Sequence, residues 1–258
     1  MRGFFSALSF LTIIPIPDRL KGQNQNRMFP WYPAVGLVIG CLLSVLFWLV
    51  GKIFADALAV VTLVAGSLLL TGAIHLDGLA DCSDGFYGKR TKEETLRILK
   101  DPRIGAMGGA AIGISLLARS AAFFSLGAST VLLALPVLTA FSRTTVLAAL
   151  RFLPYARSEG GIISAAATAV SGRMLALAAL VIVVVATLLP IPTIIALVAL
   201  VAFWHMSWRR IGGCTGDVLG ASIEIAEIIF LAALAALDHI GFAVGLFYPF
   251  LALIAPTI

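Results

Sequence analysis

Charge is what this chain has least of. Lys, Arg, Asp and Glu together make up 12% of its 258 residues, about half the roughly 25% of a soluble globular chain. So few charges cannot clothe a surface that faces water on all sides. Cysteine is scarce as well. Cys41, Cys82 and Cys214 are odd in number, stand at unrelated spacings and form no CxxC pair, so neither a disulfide framework nor a zinc site is indicated. No P-loop and no dinucleotide fingerprint occur. No serine or cysteine has a base nearby in the sequence, so a covalent intermediate is not implied. No basic run is interleaved with aromatics, so the net charge of +5 does not point to nucleic acid. Nor is any linker long enough to part folded units, and residues 1–258 read as one membrane-embedded domain.

Apolar residues are present in abundance. They make up 60% of the chain, and the mean hydropathy is +1.06. Repeated apolar runs of about 17 residues or more have the length that crosses a bilayer core. They lack the strict alternation of a membrane β-barrel. The expected fold is therefore all-α, a polytopic helix bundle of about eight spans. The spans are expected near 33–50, 57–76, 105–126, 129–149, 174–189, 193–208, 217–237 and 240–257. Pro190 and Pro192 divide what is otherwise one long apolar segment. The opening "MRGFFSALSFLTIIPIP" has no small-residue cleavage site and is short for a span, so it reads as an interfacial or re-entrant helix.

The loops differ sharply in charge. Loops 18–32, 77–104, 151–173 and 209–216 carry fourteen Lys or Arg residues, whereas the opposite loops hold only Lys52. The positive-inside rule assigns the four basic loops to the cytoplasm.

One of these loops begins "HLDGLADCSDGFYGKR", residues 75–90. If the helix continues through it, Asp77, Asp81 and Asp84 stand at i, i+4 and i+7, within about 60° of one another around the axis. Three carboxylates on one stripe repel each other unless a cation sits among them. Hard divalent ions take oxygen ligands, and Mg²⁺ is usually held by a few carboxylates plus substrate phosphates. The plainer reading is a solvated acidic loop neutralised by the six basic residues that loop 77–104 also contains. Further along, "KEETLRILK" is amphipathic at helical spacing, with Thr91 placed to cap it and Glu94 to complete a capping box. Asp101 and Arg103 precede a glycine-rich span start, where free backbone N–H groups favour anions.

Ionisable groups inside spans call for a function or a partner. Arg119 and Arg143 are such groups, as are Glu224 and Glu227 in "GGCTGDVLGASIEIAE", residues 212–227. Either the arginines pair with the glutamates, or the glutamates join a second set of ligands facing the aspartate stripe. In the same motif Gly212, Gly213 and Gly216 form a permissive loop, and Asp217 opens a helix. Arg157 and Glu159 lie in "YARSEGG", and His75 either binds a substrate or caps its span. His205 and His239 read as interfacial. Carboxylates, arginines and glycine-rich turns at one membrane face suit metal-assisted transfer on a phosphorylated substrate.

These residues resemble the cobalamin synthase family, the adenosylcobinamide-GDP ribazoletransferases. The likeness is carried by "HLDGLADCSDG" and "LKDPRIGAMGG", and it continues through "FLTIIPIP", Ser142–Arg143, "YARSEG" and residues 212–227. The family often has Ser where this chain has Pro102. The resemblance implies an Mg²⁺-dependent enzyme of the bacterial inner membrane with its site facing the cytoplasm. Its substrates would be adenosylcobinamide-GDP and α-ribazole or α-ribazole 5′-phosphate, with membrane lipid around it and no nucleic acid. A homo-oligomer stays open. On this reading Asp77, Asp81 and Asp84 hold the metal, and one of them takes the hydroxyl proton. Asp101 is a further ligand or base. Arg103, Arg143 and Arg157 counter phosphate charge, and His75, Gly212, Gly213, Asp217 and Glu224 complete the substrate site. A CDP-alcohol phosphotransferase is the nearest rival, but its DGxxAR pattern fails at Asp81, which follows Ala80 where Arg belongs. A cation-coupled transporter would keep its acids near the midplane, whereas here they gather at helix ends.

Overall fold

The fold, known from a computed structural model, is described for residues 1–22, 25–157 and 170–241. It is built of helices: α1 (Arg2–Leu11), α2 (Tyr32–Gly51), α3 (Asp56–Thr71), α4 (Ile74–Phe86), α5 (Lys92–Ile98), α6 (Ala106–Ser125), α7 (Ala128–Phe152), α8 (Gly172–Leu188), α9 (Pro190–Ile211) and α10 (Gly216–His239). Two 3₁₀ segments, Asp18–Leu20 and Gln25–Trp31, link α1 to α2. The single bridge between Tyr155 and Cys214 is the one strand-like pairing among the described residues.

Five helices are long and apolar enough to cross a membrane: Arg27–Gly51 (α2 with the turn before it), α6, α7, α9 and α10. This is a multi-pass membrane protein. The expected count of eight is not reproduced among the described residues. The span expected at 57–76 is broken, because α3 and α4 meet at 88° across Gly72 and Ala73. Both residues take the left-handed conformation, with φ of 62° and 55°. The Ala73 amide donates to the Leu68 carbonyl at 2.9 Å, as in a glycine-terminated helix end. The aspartate-bearing helix is thus a new helix and not the tail of a span. Helix α8 has 17 residues and falls among the shorter apolar helices. The span expected at 240–257, like Glu159, lies outside the described residues. At ten residues, or about 15 Å, α1 is too short to cross, as expected of an interfacial or re-entrant segment.

Among the described helices, α2 and α7 share the most extensive contact. Gly36 and Gly40 put one glycine on each of two successive turns, the spacing that lets membrane helices approach closely. A Cβ on Gly36 would meet the Thr139 carbonyl, and one on Gly40 would meet backbone at Leu135 and Pro136. The Thr139 hydroxyl donates to the Gly36 carbonyl at 2.7 Å, and Ser44 donates to the Leu132 carbonyl at 2.9 Å two turns on. Gly40→Leu is expected to force the pair apart at a cost of about 1–3 kcal/mol or more. Gly51→Ala, where a Cβ meets nothing within 4 Å, should leave the thermal midpoint of the detergent-solubilised protein unchanged.

Helix α10 lies at the centre, packed against α4, α6, α7 and α9. Its buried face runs from Val218 to Leu234, and Trp204 of α9 donates its indole N–H to Ser222 at 2.8 Å. The break between α8 and α9 falls at Leu189, with Pro190 opening α9, where the prolines placed it. Helix α5 carries the expected capping box: the Glu94 amide donates to the Thr91 hydroxyl, and the Thr91 amide to the Glu94 carboxylate.

Candidate functional site

Helix α4 turns three aspartates to one side and buries His75, Leu76, Gly78, Ala80, Cys82, Gly85 and Phe86 on the other. Gly78 is where α4 touches the first turn of α10. A Cβ there would stand 2.6 Å from the Asp217 carbonyl oxygen, so only glycine permits the approach. This crossing sets Asp217 beside the aspartate stripe. Asp81, half-buried, lies within Coulombic reach of Asp77, Asp84, Asp217 and Arg157. Four carboxylates against one guanidinium leave a local excess of negative charge.

The four carboxylates are not equivalent. Asp84 accepts hydrogen bonds from the backbone amides of Gly105 (2.6 Å) and Gly108 (2.9 Å). It caps α6, and a Cβ on either glycine would collide with it. An anion does sit at the glycine-rich helix start, as its free amides require, and that anion is the protein's own Asp84. Asp217 is held by Arg157 at 2.9 Å and by the Thr215 hydroxyl at 3.0 Å. Asp77 and Asp81 accept no side-chain or backbone hydrogen bond among the described residues. Nor does any group of three or more His, Cys, Asp or Glu residues among them stand ready to hold a metal ion.

Arg157 owes its position to the loop before α10. The Cys214 amide donates to the Pro154 carbonyl at 2.8 Å, and the Ala156 amide to the Cys214 carbonyl at 2.9 Å. Gly213 permits this, since any Cβ there would strike the Pro154 carbonyl. Gly212, with φ of 78°, ends α9 in the left-handed conformation that favours glycine. Both glycines therefore shape the turn that locks residues 154–156 against Asp217.

Asp101 and Arg103 pair with each other on the exposed segment between α5 and α6. Arg103 donates to Asp101 from Nε (2.9 Å), from a terminal nitrogen (2.7 Å) and from its own amide (3.1 Å). These bonds pull the Asp101 pKa down to about 2. A carboxylate held that low is a poor proton acceptor near neutral pH.

Arg143 and Glu224 belong to a second, deeper cluster. Arg119 contacts Glu224 at 2.5 Å and Glu227 at 3.0 Å. Arg143 contacts Glu227 closely, and the Ser142 hydroxyl donates to Glu227 at 2.9 Å. All four charged residues are buried. The pairing open to these residues in the sequence is the arrangement found, and the four charges balance. Beside them lies a cavity of about 20 Å³, also lined by His75, Ser67, Thr71 and Thr139, which is room for a single water. His75 Nε2 and Arg143 Nε are buried without partners, and a water there would serve them.

Two polar arrangements therefore share the bundle: a balanced one inside it, and an acidic one at the α4–α10 crossing with two uncommitted carboxylates. They belong to a polytopic membrane protein whose uncommitted acidic groups gather at helix ends. The chain belongs to the cobalamin-5-phosphate synthase family, whose model matches residues 3–235. A relative from Chlorobaculum parvum, an adenosylcobinamide-GDP ribazoletransferase, is 39% identical over 91% of this chain and 96% of its own length. The proteins of that name from Clostridium novyi and Escherichia coli O17:K52:H18 are 31% and 34% identical. They cover 93% and 90% of this chain and 99% and 98% of their own lengths. No solved structure matches the chain.

Sequence reasoning missed two positioning features. The cap of Asp84 on α6 joins residues more than twenty positions apart, with no local signal beyond the glycines themselves. The Thr215 cap did have a signal: its amide-accepting hydroxyl, bonded to Val218 N at 3.4 Å, precedes a helix start as N-cap residues do.

Proposed function

We propose that this protein joins adenosylcobinamide-GDP and α-ribazole, or α-ribazole 5′-phosphate, to complete the nucleotide loop of a cobamide. The 5′-hydroxyl of the ribazole attacks the cobinamide-side phosphorus, the bond to the GMP oxygen breaks, and GMP leaves. Family membership over nearly the whole chain supports the reaction. The observation that carries the site is the pair of carboxylates, Asp77 and Asp81, which lie one turn apart and remain unbonded.

Mg²⁺ is usually held by one or two carboxylates together with substrate phosphates. Asp77 and Asp81 fit that description, and a pyrophosphate would supply the remaining oxygens. When bound, the ion neutralises charge that develops on the phosphate oxygens. Asp81, less exposed than Asp77 and crowded by other carboxylates, takes the proton of the attacking hydroxyl. Asp84 keeps the N-terminus of α6 docked against α4. Arg157, held by Asp217, faces the same cluster and offers its charge to the leaving phosphate. Asp101 acts by fixing the guanidinium of Arg103, which stays exposed for a passing phosphate. Arg143 and Glu224 support the site from within the bundle by keeping α6, α7 and α10 together.

The basic loops beside this cluster support a cytoplasmic site in the bacterial inner membrane. Exposed apolar side chains on α2, such as Val45 and Leu49, suit contact with lipid. The test is the reaction itself. Purified protein given both substrates is expected to release GMP in step with corrinoid product, and only when Mg²⁺ is present. Product without GMP, or full turnover in excess chelator, contradicts the reading.

A further inference from the structure

Between α1, the turn before α2, α4, α7 and the start of α10 lies a second pocket of about 360 Å³. This lies within the range of small-molecule sites, about 300–1,000 Å³. One part of its wall is aromatic: Phe10, Phe29 and Tyr32. The rings of Phe10 and Tyr32 lie 6.5 Å apart and nearly parallel at 25°, and those of Phe29 and Tyr32 are 5.1 Å apart. Asp77 and Asp217 line the same pocket, so it is continuous with the acidic cluster. His75 also lines it, and is the one residue of that wall with a buried, unpartnered side-chain nitrogen among the described residues.

We infer that this pocket holds the flat heteroaromatic base of the nucleoside substrate, with its ribose end directed past Asp77 toward the acidic cluster. The inference rests on the transferase reading and adds a subsite to it. A lipid chain matches the aromatic wall but not Asp77, because burying apolar groups against that unpaired carboxylate leaves its charge desolvated. A corrinoid is far too large for the space. A nucleoside with an apolar bicyclic base has the required asymmetry, a flat greasy end and a hydroxylated end. Stacking on aromatic side chains is the common way proteins hold such bases.

Phe10 is the residue to change, because it is 43% exposed and its loss leaves the core intact. In Phe10→Ala the KM for α-ribazole should rise about tenfold, with kcat and the KM for adenosylcobinamide-GDP unchanged. In the wild-type protein, free benzimidazole should compete with α-ribazole and not with adenosylcobinamide-GDP. An unchanged KM for α-ribazole, a rise confined to adenosylcobinamide-GDP, or benzimidazole inhibition competitive with that substrate overturns the assignment, while GMP release by the wild type leaves the transferase reading standing. Should the wild type release no GMP, the transferase reading fails. Equilibrium dialysis of α-ribazole against wild type and Phe10→Ala then decides the pocket alone, with equal binding rejecting it. Phospholipid that copurifies with the wild type and is lost in Phe10→Ala, without a change in α-ribazole binding, assigns the pocket to lipid and also rejects it.

Discussion

Asp81→Asn is expected to express and fold normally and to lose turnover by on the order of 10²–10⁴-fold, the usual contribution of a positioned proton acceptor. The two halves of that expectation have separate causes. Normal folding follows because the Asp81 carboxylate makes no hydrogen bond among the described residues and is surrounded by like charge, so the amide removes repulsion without breaking a contact. Lost turnover follows because Asn neither accepts the hydroxyl proton nor supplies an anionic ligand. Asp84→Asn should show the reverse. Its carboxylate takes two backbone amides through two oxygens, and an Asn would turn an NH₂ toward one of those donors. That change should lower the thermal midpoint first and activity only as a consequence. The rate of GMP release, measured beside thermal melts of the same two variants, distinguishes a chemical role from a structural one.

Arg119→Met should be the most damaging single change inside the bundle. Arg119 bridges Glu224 and Glu227, and all three side chains are less than one-tenth exposed. Met keeps much of the volume but leaves Glu224 without its guanidinium partner. Removing one partner of a buried ion pair costs about 3–5 kcal/mol, chiefly because a charge is stranded. For a chain of this size that corresponds to a fall in melting midpoint of about 10 °C. The double variant Arg119→Met, Glu224→Gln should recover most of the loss, because Arg143 still balances Glu227. Arg119→Lys should recover little, since one ammonium cannot reach two carboxylates as a planar guanidinium does. If Arg119→Met melts as the wild type does, the cluster contributes nothing to the bundle.

The aspartate stripe was legible in the sequence because a period of 3.6 residues fixes which side chains share a face, whatever the helix packs against. The continuity of its helix with the preceding span was not. Gly72 lies in a long run without charge, and only the backbone reveals that it and Ala73 turn left-handed. Charges inside spans announced that Arg119, Arg143, Glu224 and Glu227 need partners, since unpaired charge is costly in lipid. The sequence offered two ways of meeting that need, and tertiary packing selected the internal one. The spacing of Gly36 and Gly40 signals close helix packing but does not name α7 as the partner. The likeness of Asp77, Asp81 and Asp84 in the sequence concealed their different fates. Asp84 is spent on α6 and Asp217 on Arg157, and those differences depend on contacts that no local pattern encodes.

Binding of Mn²⁺, followed by loss of its free-ion EPR signal, tests the site most directly, because Mn²⁺ accepts the oxygen ligands that Mg²⁺ takes. The wild-type protein should bind the ion weakly alone and much more tightly with adenosylcobinamide-GDP present, and Asp77→Asn and Asp81→Asn should each abolish the tightening. Tight binding without the nucleotide substrate, or a response unaltered in both variants, would mean that the ion and its phosphates meet the protein somewhere else.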